Sequence, residues 1–283
     1  MSNTPSIVVV GSVNLDLVAS VPHLPVAGET VTGATLARYP GGKGANQALA
    51  ARRLGADVCL CACTGRDTAA DEALALLRND GVDLSHCLAD TESATGIALI
   101  AVAPDGDNQI VVAPGANRRL TPERLDLPDA DALICQLEVP IETVAAAAAD
   151  FSGLFCVNLA PATVVPANVL RRADVIVMNE TESEFIGDAI DVCDNLVAIT
   201  YGARGAVLRR RGETIAEVRP PKVDVVDATG AGDTFTAALT VGLLEDMPPA
   251  KALEFACAAA ALATTRPGAQ PALPWRTELN QDN

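Results

Sequence analysis

The sequence predicts an α/β protein: an open, doubly wound, mostly parallel sheet with a small β-lid over one edge. Three observations carry this. Short β-branched runs alternate with Ala-rich stretches of helical pattern along the 283 residues, the alternation that builds parallel βαβ units. The apolar runs lack strict in–out alternation, as strands do when helices cover both sheet faces. Two turn-rich segments, 15–40 and 95–113, break the rhythm.

The elements follow in order. Ile7-Val8-Val9-Val10 is a strand stopped by Gly11. Segment 15–40 alternates where a crossover helix would be expected and reads as half of the lid. Residues 44–54 read as a helix, whose end at Arg52-Arg53-Leu54-Gly55 has the basic last turn and terminal glycine of a helix stop. A strand at 58–63 and a helix at 69–79 come next. Residues 97–103 and 109–113 form a hairpin around Asp105-Gly106, a turn dipeptide. Strands are expected at 132–137, 155–159, 175–178, 197–200 and 206–209, and helices at 141–149, 233–244 and 250–264. No linker, repeat or low-complexity run intervenes, so residues 1–283 are expected to form a single domain, with a lid from about 15–40 and 95–113.

Composition sets the function classes. Apolar residues are 49% and charged residues 20%, enough to bury a large core. The formal net charge of −16 argues against nucleic-acid and anionic-membrane surfaces, which need clustered positive charge. It leaves room for a small anionic ligand held by local dipoles. The start, Met-Ser-Asn-Thr-Pro, has no basic n-region, and the uncharged stretch 153–170 holds Asn158, Pro161, Pro166 and Asn168. A cytoplasmic protein without a membrane span is therefore expected. Cys59, Cys61 and Cys63 share one strand face at a spacing that suits small buried hydrophobes, not a metal site. Cys87, Cys135, Cys156 and Cys193 are scattered, and only His23 and His86 are present for imidazole chemistry.

Three segments carry chemistry. In 224–236, Asp-Val-Val-Asp-Ala-Thr-Gly-Ala-Gly-Asp-Thr-Phe-Thr, a strand-like approach ends at Asp227, a small-residue turn follows, and a helix opens near Gly232-Asp233. Free N–H groups at a helix start can hold an anion, and Gly230 and Gly232 let the backbone come close to it. Asp233 would repel that anion unless it has another task. It is either a base taking a proton from an attacking hydroxyl beside a held phosphoryl group, or a helix cap. No dinucleotide or Walker loop occurs in the chain. The second segment, Pro40-Gly-Gly-Lys-Gly-Ala-Asn-Gln47, gathers polar donors at a helix mouth. The third, Gly11-Ser-Val-Asn-Leu-Asp16, lies at a strand's carboxyl end, where open α/β sheets bind ligands. Asn14 and Asp16 could face one hydroxylated ligand or simply make a turn.

These three motifs resemble the PfkB-type carbohydrate kinases, and among them the ribokinase branch. The likeness runs from Ile7 to about Trp275 and takes in Asn179-Glu-Thr-Glu182, Thr200-Tyr-Gly-Ala-Arg-Gly205 and Thr265-Arg-Pro-Gly-Ala-Gln-Pro271. It implies a ribokinase-like three-layer α/β/α fold and ATP-dependent phosphorylation of D-ribose at O5. Asp233 would be the general base, and the N–H groups of Ala231, Gly232 and Asp233 the anion hole. Asn14, Asp16, Gly42, Lys43, Asn46 and Glu138 match the positions that hold sugar hydroxyls. Asn179 and Glu182 match the motif that manages magnesium and phosphate. Thr200, Tyr201, Gly202, Ala203, Arg204, Gly205, Gly232 and Cys257 match positions lining ATP. The monovalent-cation loop, for potassium, maps to Asp227, Thr229, Ala263, Arg266, Gly268 and Ala272. Relatives pair through the lid, so a homodimer is implied.

Two departures mark this chain. Residues 179–195 form a shorter link than the family usually has beside the nucleotide motif, and Ala272 stands where relatives often carry Ser. Kinases of deoxyribose, fructose or nucleosides are the neighbouring enzymatic readings. A non-catalytic sugar or nucleotide sensor is the reading from another class.

Overall fold

The computed structural model describes residues 4–190 and 194–279. Residues 1–3, 191–193 (with Cys193) and 280–283 lie outside the described residues. The backbone of the fold is a nine-stranded sheet. Its strands are β1 (Ser6–Val10), β4 (Asp57–Gly65), β5 (Cys87–Asp90), β8 (Ala132–Cys135), β9 (Leu154–Asn158), β10 (Val175–Asn179), β11 (Leu196–Thr200), β12 (Ala206–Arg210) and β13 (Glu213–Val218), in the order β13-β12-β11-β10-β9-β8-β1-β4-β5. Every pairing from β11 to β5 is parallel, and β12 and β13 add an antiparallel meander at one edge. The chain moves outward from β1 to β4 and β5, then returns to β8 on β1's other side. The seam between β1 and β8 is thus the topological switch point, outside whose carboxyl ends ligands bind in such sheets.

The hydrophobic pattern explains the three layers. Ile7 and Val9 of β1 belong to one core cluster, with α1 (Lys43–Arg53), α7 (Ala231–Leu244) and α8 (Pro249–Ala263). Val8 and Val10 belong to the other, with α4 (Ile141–Asp150) and α5 (Ala167–Arg172). All four residues are buried, so the run shows no polar face to give period two. Helix α7 is buried nearly all round, and its threonines spend their hydroxyls on their own helix: Thr234 Oγ1 donates to the Gly230 carbonyl (2.8 Å) and Thr236 Oγ1 to that of Gly232 (2.9 Å). Cys61 and Cys63 are buried on one face of β4 with Cys59 half-buried beside them, and no cluster of metal-ligating side chains exists among the described residues.

A second, four-stranded sheet begins at Asn14, just past the carboxyl end of β1. Segments 15–40 and 95–113 supply it: β2 (Asn14–Ser20), β3 (Thr35–Gly41), β6 (Gly96–Val102) and β7 (Asn108–Ala113), ordered β3-β2-β6-β7. Asp105-Gly106 makes the β6–β7 turn, with Gly106 at φ +92°.

Several local expectations are corrected. The helix over 69–79 is two short ones, α2 (Thr68–Ala73) and α3 (Ala75–Asn79), which meet at Leu74. The strand over 132–137 stops at Cys135, and the Leu137 amide turns away to donate to the Ala160 carbonyl. The approach to Asp227 is not a strand. Residues 219–227 run without ladder partners, and the amides of Val226 and Asp227 donate to the Thr264 carbonyl. The unexpected elements are short or weakly patterned: β5, β13, α5, α6 (Glu180–Ile186) and α9 (Ala269–Ala272). No helix among the described residues is long and apolar enough to cross a membrane.

Candidate active site

The amino end of α1 is pressed into the loop that follows β1. A Cβ on Gly44 would stand 2.5 Å from the Gly11 carbonyl carbon, so only glycine permits the contact. Gly42, the N-cap, has φ +90° and no side chain to cap the helix. Caps come from remote residues instead. Glu138 Oε2 accepts from the Lys43 amide (3.1 Å) and from Ser12 Oγ (2.5 Å), and the Ala45 amide donates to the Ser12 carbonyl (2.9 Å). This draws loop 11–14, the residues after β8 and the start of α1 into one wall, as orphan N–H groups require.

The expected sugar residues gather on this wall. Asn14 is buried at the start of β2, its Oδ1 accepting from Asn117 Nδ2 (2.8 Å). Asp16, two residues on, is buried against Gly41. Asn46 is buried on the first turns of α1.

Asp233 faces them from α7. It is 6% exposed, and its carboxylate does not cap its own helix. Oδ2 accepts from Asn46 Nδ2 and Oδ1 from Gln47 Nε2, both at 2.9 Å. The capping alternative therefore fails. The helix N-cap is Gly230, and the Ala231 amide donates to the Ala228 carbonyl (3.2 Å). The amides of Gly232 and Asp233 lie in the first turn, where an α-helix offers no internal acceptor.

The electrostatics are concentrated. Burial pulls the Lys43 ammonium down, but Asp233, Glu138, Glu182 and Asp16 together hold it above its ordinary range. Burial pushes Asp16 up to about 7, helped by Glu138 and Asp233 and opposed by Lys43. Burial likewise raises Asp233, against Lys43 and the two amide donors. One ammonium among four carboxylates suits a site for a polyhydroxylated neutral ligand next to a moving proton.

Beyond the α7 mouth lies a cleft of about 840 Å³ lined by Thr200, Gly202, Ala203, Gly205, Gly232 and Cys257, together with Val225 and Phe235. Of the residues expected around a nucleotide, Tyr201 and Arg204 stand outside its lining. The Arg204 guanidinium stacks on the Tyr201 ring (5.1 Å) and pairs with Glu180. Asn179 and Glu182 close on each other as a capping box on α6: Asn179 Oδ1 accepts from the Glu182 amide and Glu182 Oε2 from the Asn179 amide, both 2.8 Å. Burial lifts the Glu182 carboxyl, with Lys43 opposing and Asp233 reinforcing.

The residues matched to the cation loop divide. Asp227 joins two segments, accepting from the Thr229 amide through Oδ1 (2.9 Å) and the Gly268 amide through Oδ2 (2.8 Å). Ala263 ends α8 and Ala272 is buried in α9. The Arg266 side chain pairs with Glu278. Sequence reasoning missed Ser12, Gln47, Gln136 and Asn158. Ser12 and Gln47 stand inside quoted motifs, but a buried polar group that serves another side chain leaves no spacing signal.

The comparisons with known proteins agree over the whole length. The pfkB family carbohydrate kinase model matches residues 4–276. The chain is 36% identical to the ribokinase of Haemophilus influenzae over 96% of both chains. It is 30% identical to the deoxyribokinase of Salmonella typhi over 97% of both. Its fold superposes on the ribokinase of Thermotoga maritima with a TM-score of 0.88 at 32% identity, covering 97% of this chain and 98% of that one. On an Arabidopsis thaliana ribokinase complexed with ribose and ATP the TM-score is 0.85 at 30% identity, covering 98% of each. This chain belongs to the pfkB family of carbohydrate kinases, and it is a sugar kinase with the ribokinase-like α/β fold.

Proposed function

We propose that the enzyme transfers the γ-phosphoryl group of ATP to O5 of D-ribose, with Asp233 as general base. The observation that carries the reading is the placement of one buried carboxylate between a wall of sugar-type hydrogen-bonding groups and a nucleotide-sized cleft, at a helix mouth. Asn14, Asp16, Lys43, Asn46 and Glu138, with the Gly42 backbone, would hold the hydroxyls. In the step, O5 of ribose attacks the γ-phosphorus, its proton passes to Asp233, and the bond from phosphorus to the bridging oxygen breaks to release ADP. The amides of Gly232 and Asp233, with that of Ala231 beside them, would hold the migrating group. Phosphoryl transfer asks a protein mainly for such positioning and charge. The four-stranded sheet would act as a lid that keeps water from the phosphate.

Magnesium would arrive with ATP, and the oxygen donors of Asn179 and Glu182 fit a hard cation that keeps most of its own water. It would supply charge neutralisation at the phosphates. The loop closed by Asp227, whose carboxylate accepts from the Thr229 and Gly268 amides, would hold potassium mostly through backbone oxygens of Thr229, Ala263, Gly268 and Ala272. Arg266, held by Glu278, contributes only its main chain to that reading. A second copy would pair through the exposed lid strand β7.

An ADP-release assay across ribose, deoxyribose, fructose and nucleosides tests the substrate, and ribose is expected to have the highest kcat/KM. Asp233→Asn is expected to bind ribose and lose about 10²–10⁴-fold in kcat, the span of general-base catalysis. Near-normal turnover would overturn the role of Asp233. A rate that stays flat as potassium is added would remove the cation loop.

A further inference from the structure

Behind Asp233 lies a chain of buried side-chain amides that the reaction as described leaves unused. Gln47 Nε2 donates to Asp233 Oδ1 (2.9 Å) and also reaches Asn158 Oδ1 (3.3 Å). Gln47 Oε1 accepts from Gln136 Nε2 (2.7 Å). Asn158 Nδ2 in turn donates to the Val177 carbonyl (3.2 Å). Gln47 and Gln136 have no exposed surface and Asn158 very little. The residues come from α1 and from the carboxyl ends of β8 and β9, beside the switch point.

The polarity of this chain is determined from its far end. A backbone carbonyl can only accept, so Val177 requires the nitrogen of Asn158 to face it. That turns Asn158 Oδ1 toward Gln47, which must answer with its nitrogen. The same nitrogen's second proton then points at Asp233, and Gln47 Oε1 is left to face Gln136, which must donate. With Gln47 turned the other way, its oxygen would face a carboxylate and its nitrogen would face the Gln136 nitrogen. Space for Gln136 comes from Gly11, where a Cβ would stand 2.0 Å from Gln136 Oε1. An amide network with every orientation forced costs little reorganisation when charge moves at its end.

We propose that Gln47 is a positioning residue for the transfer, its amide orientation set by Asn158 and Gln136 so that it always presents a donor to Asp233 and fixes that carboxylate toward the sugar hydroxyl. The inference rests on the reading of Asp233 as the base. Gln47 has no exposed surface and would act only through that carboxylate. Losing the donor should free the carboxylate to rotate and should favour its protonated form, the direction burial already drives it.

The test is the pH dependence of kcat and kcat/KM for ribose in the parent, Gln47→Leu, Gln136→Met and Asp233→Asn. For Gln47→Leu we expect kcat to fall about 10–100-fold, the range open to a hydrogen bond on a charged group. The KM for ribose should stay within about threefold, and the acid limb should move up by about one pH unit. Gln136→Met leaves Gln47 in place and removes only its partner, so a smaller change in the same direction is expected. If Gln47→Leu is recovered unfolded, the Gln136→Met profile decides. An acid limb that does not move in either variant, or a fall in kcat matched by an equal rise in KM, overturns the proposal. Asp233→Asn separates the base role from the positioning role. Normal turnover in that variant sinks the base and the positioning role together, whereas an inactive Asp233→Asn beside a parent-like Gln47→Leu sinks only the positioning role.

Discussion

Asn46 Nδ2 donates to Asp233 Oδ2 at 2.9 Å, joining the first turns of α1 and α7 across the site. The other end of that amide, Oδ1, is buried and has no protein partner among the described residues. A buried acceptor left without a donor costs roughly 1–3 kcal/mol, so a ligand hydroxyl reaching it would recover that energy on binding. Asn46→Leu should therefore raise the KM for ribose about 10–100-fold as well as lowering kcat. Initial-rate kinetics over a wide sugar range check this, and an unchanged KM would take Asn46 out of the sugar contacts. The contrast with Gln47→Leu, where KM should hold, separates a contact residue from one behind it.

Asp16 gives the enzyme a titration near neutrality. Burial first, then the neighbouring Glu138 and Asp233, raise its carboxyl to about 7. If sugar hydroxyls donate to this carboxylate as proposed, they favour its ionised form, and binding below that pH should release a proton. The dissociation constant for ribose should fall about tenfold from pH 6 to pH 8, as the binding-competent fraction rises. The same shift acts on folding with the opposite trend. A carboxyl raised in the folded state stabilises below its ordinary range, and that contribution is lost as pH climbs from about 4 to about 7. Titration calorimetry and urea melts at several pH values read both trends, and Asp16→Asn should flatten each.

The sequence makes the long, strongly patterned parts readable and hides what depends on distant partners. Ile7 to Val10, an unbroken β-branched run, marks the sheet centre, and Asp105-Gly106 marks the β6–β7 hairpin. Residues 213–218 and 87–90 carry no run long enough to declare a strand and pair only because a neighbour offers an edge. The helix over 69–79 looks continuous by periodicity, yet the chain breaks at Leu74. In the site, motif spacing locates Asp233, Asn46 and Asp16. It cannot decide between base and cap for Asp233, because that depends on Asn46 and Gln47 lying 187 and 186 positions away. Gln136 and Asn158 act solely through such contacts, so no local pattern announces them.

Arg53 holds the last segment of the chain to the domain. Its guanidinium pairs with Asp80 at 2.7 Å, donates to the carbonyls of Gln270 (2.9 Å) and Leu273 (2.8 Å), and lies over the Trp275 ring. Arg53 is 8% exposed and Asp80 14%. Removing one partner of such a pair strands the other charge, here with two carbonyls as well. Arg53→Met should destabilise the fold by about 3–5 kcal/mol, measured as a lower urea midpoint at constant m. Gly268 is the N-cap of α9, so if the proposed cation loop acts, a weaker potassium response should accompany the loss.

The four-stranded sheet ends in a strand that a solitary protein would need to protect. β7 is the edge of the four-stranded sheet, all six of its residues are exposed, and Ile110, Val111 and Val112 follow one another along it. No Lys, Arg or Pro lies within the strand to discourage pairing, although unpaired edges usually carry such residues. Leu99 of the adjoining strand β6 adds exposed apolar surface beside it. A second copy docking here would satisfy the open backbone edge and cover that surface. Light scattering should give twice the 29.1 kDa chain mass for the parent and the single-chain mass for Ile110→Lys combined with Val112→Lys. If the lid also closes over the sugar, the same double variant should show a raised KM for ribose. A parent that scatters as a single chain at micromolar concentration would remove the dimer, and would leave β7 as an open edge whose aggregation on heating should then be suppressed by the two lysines.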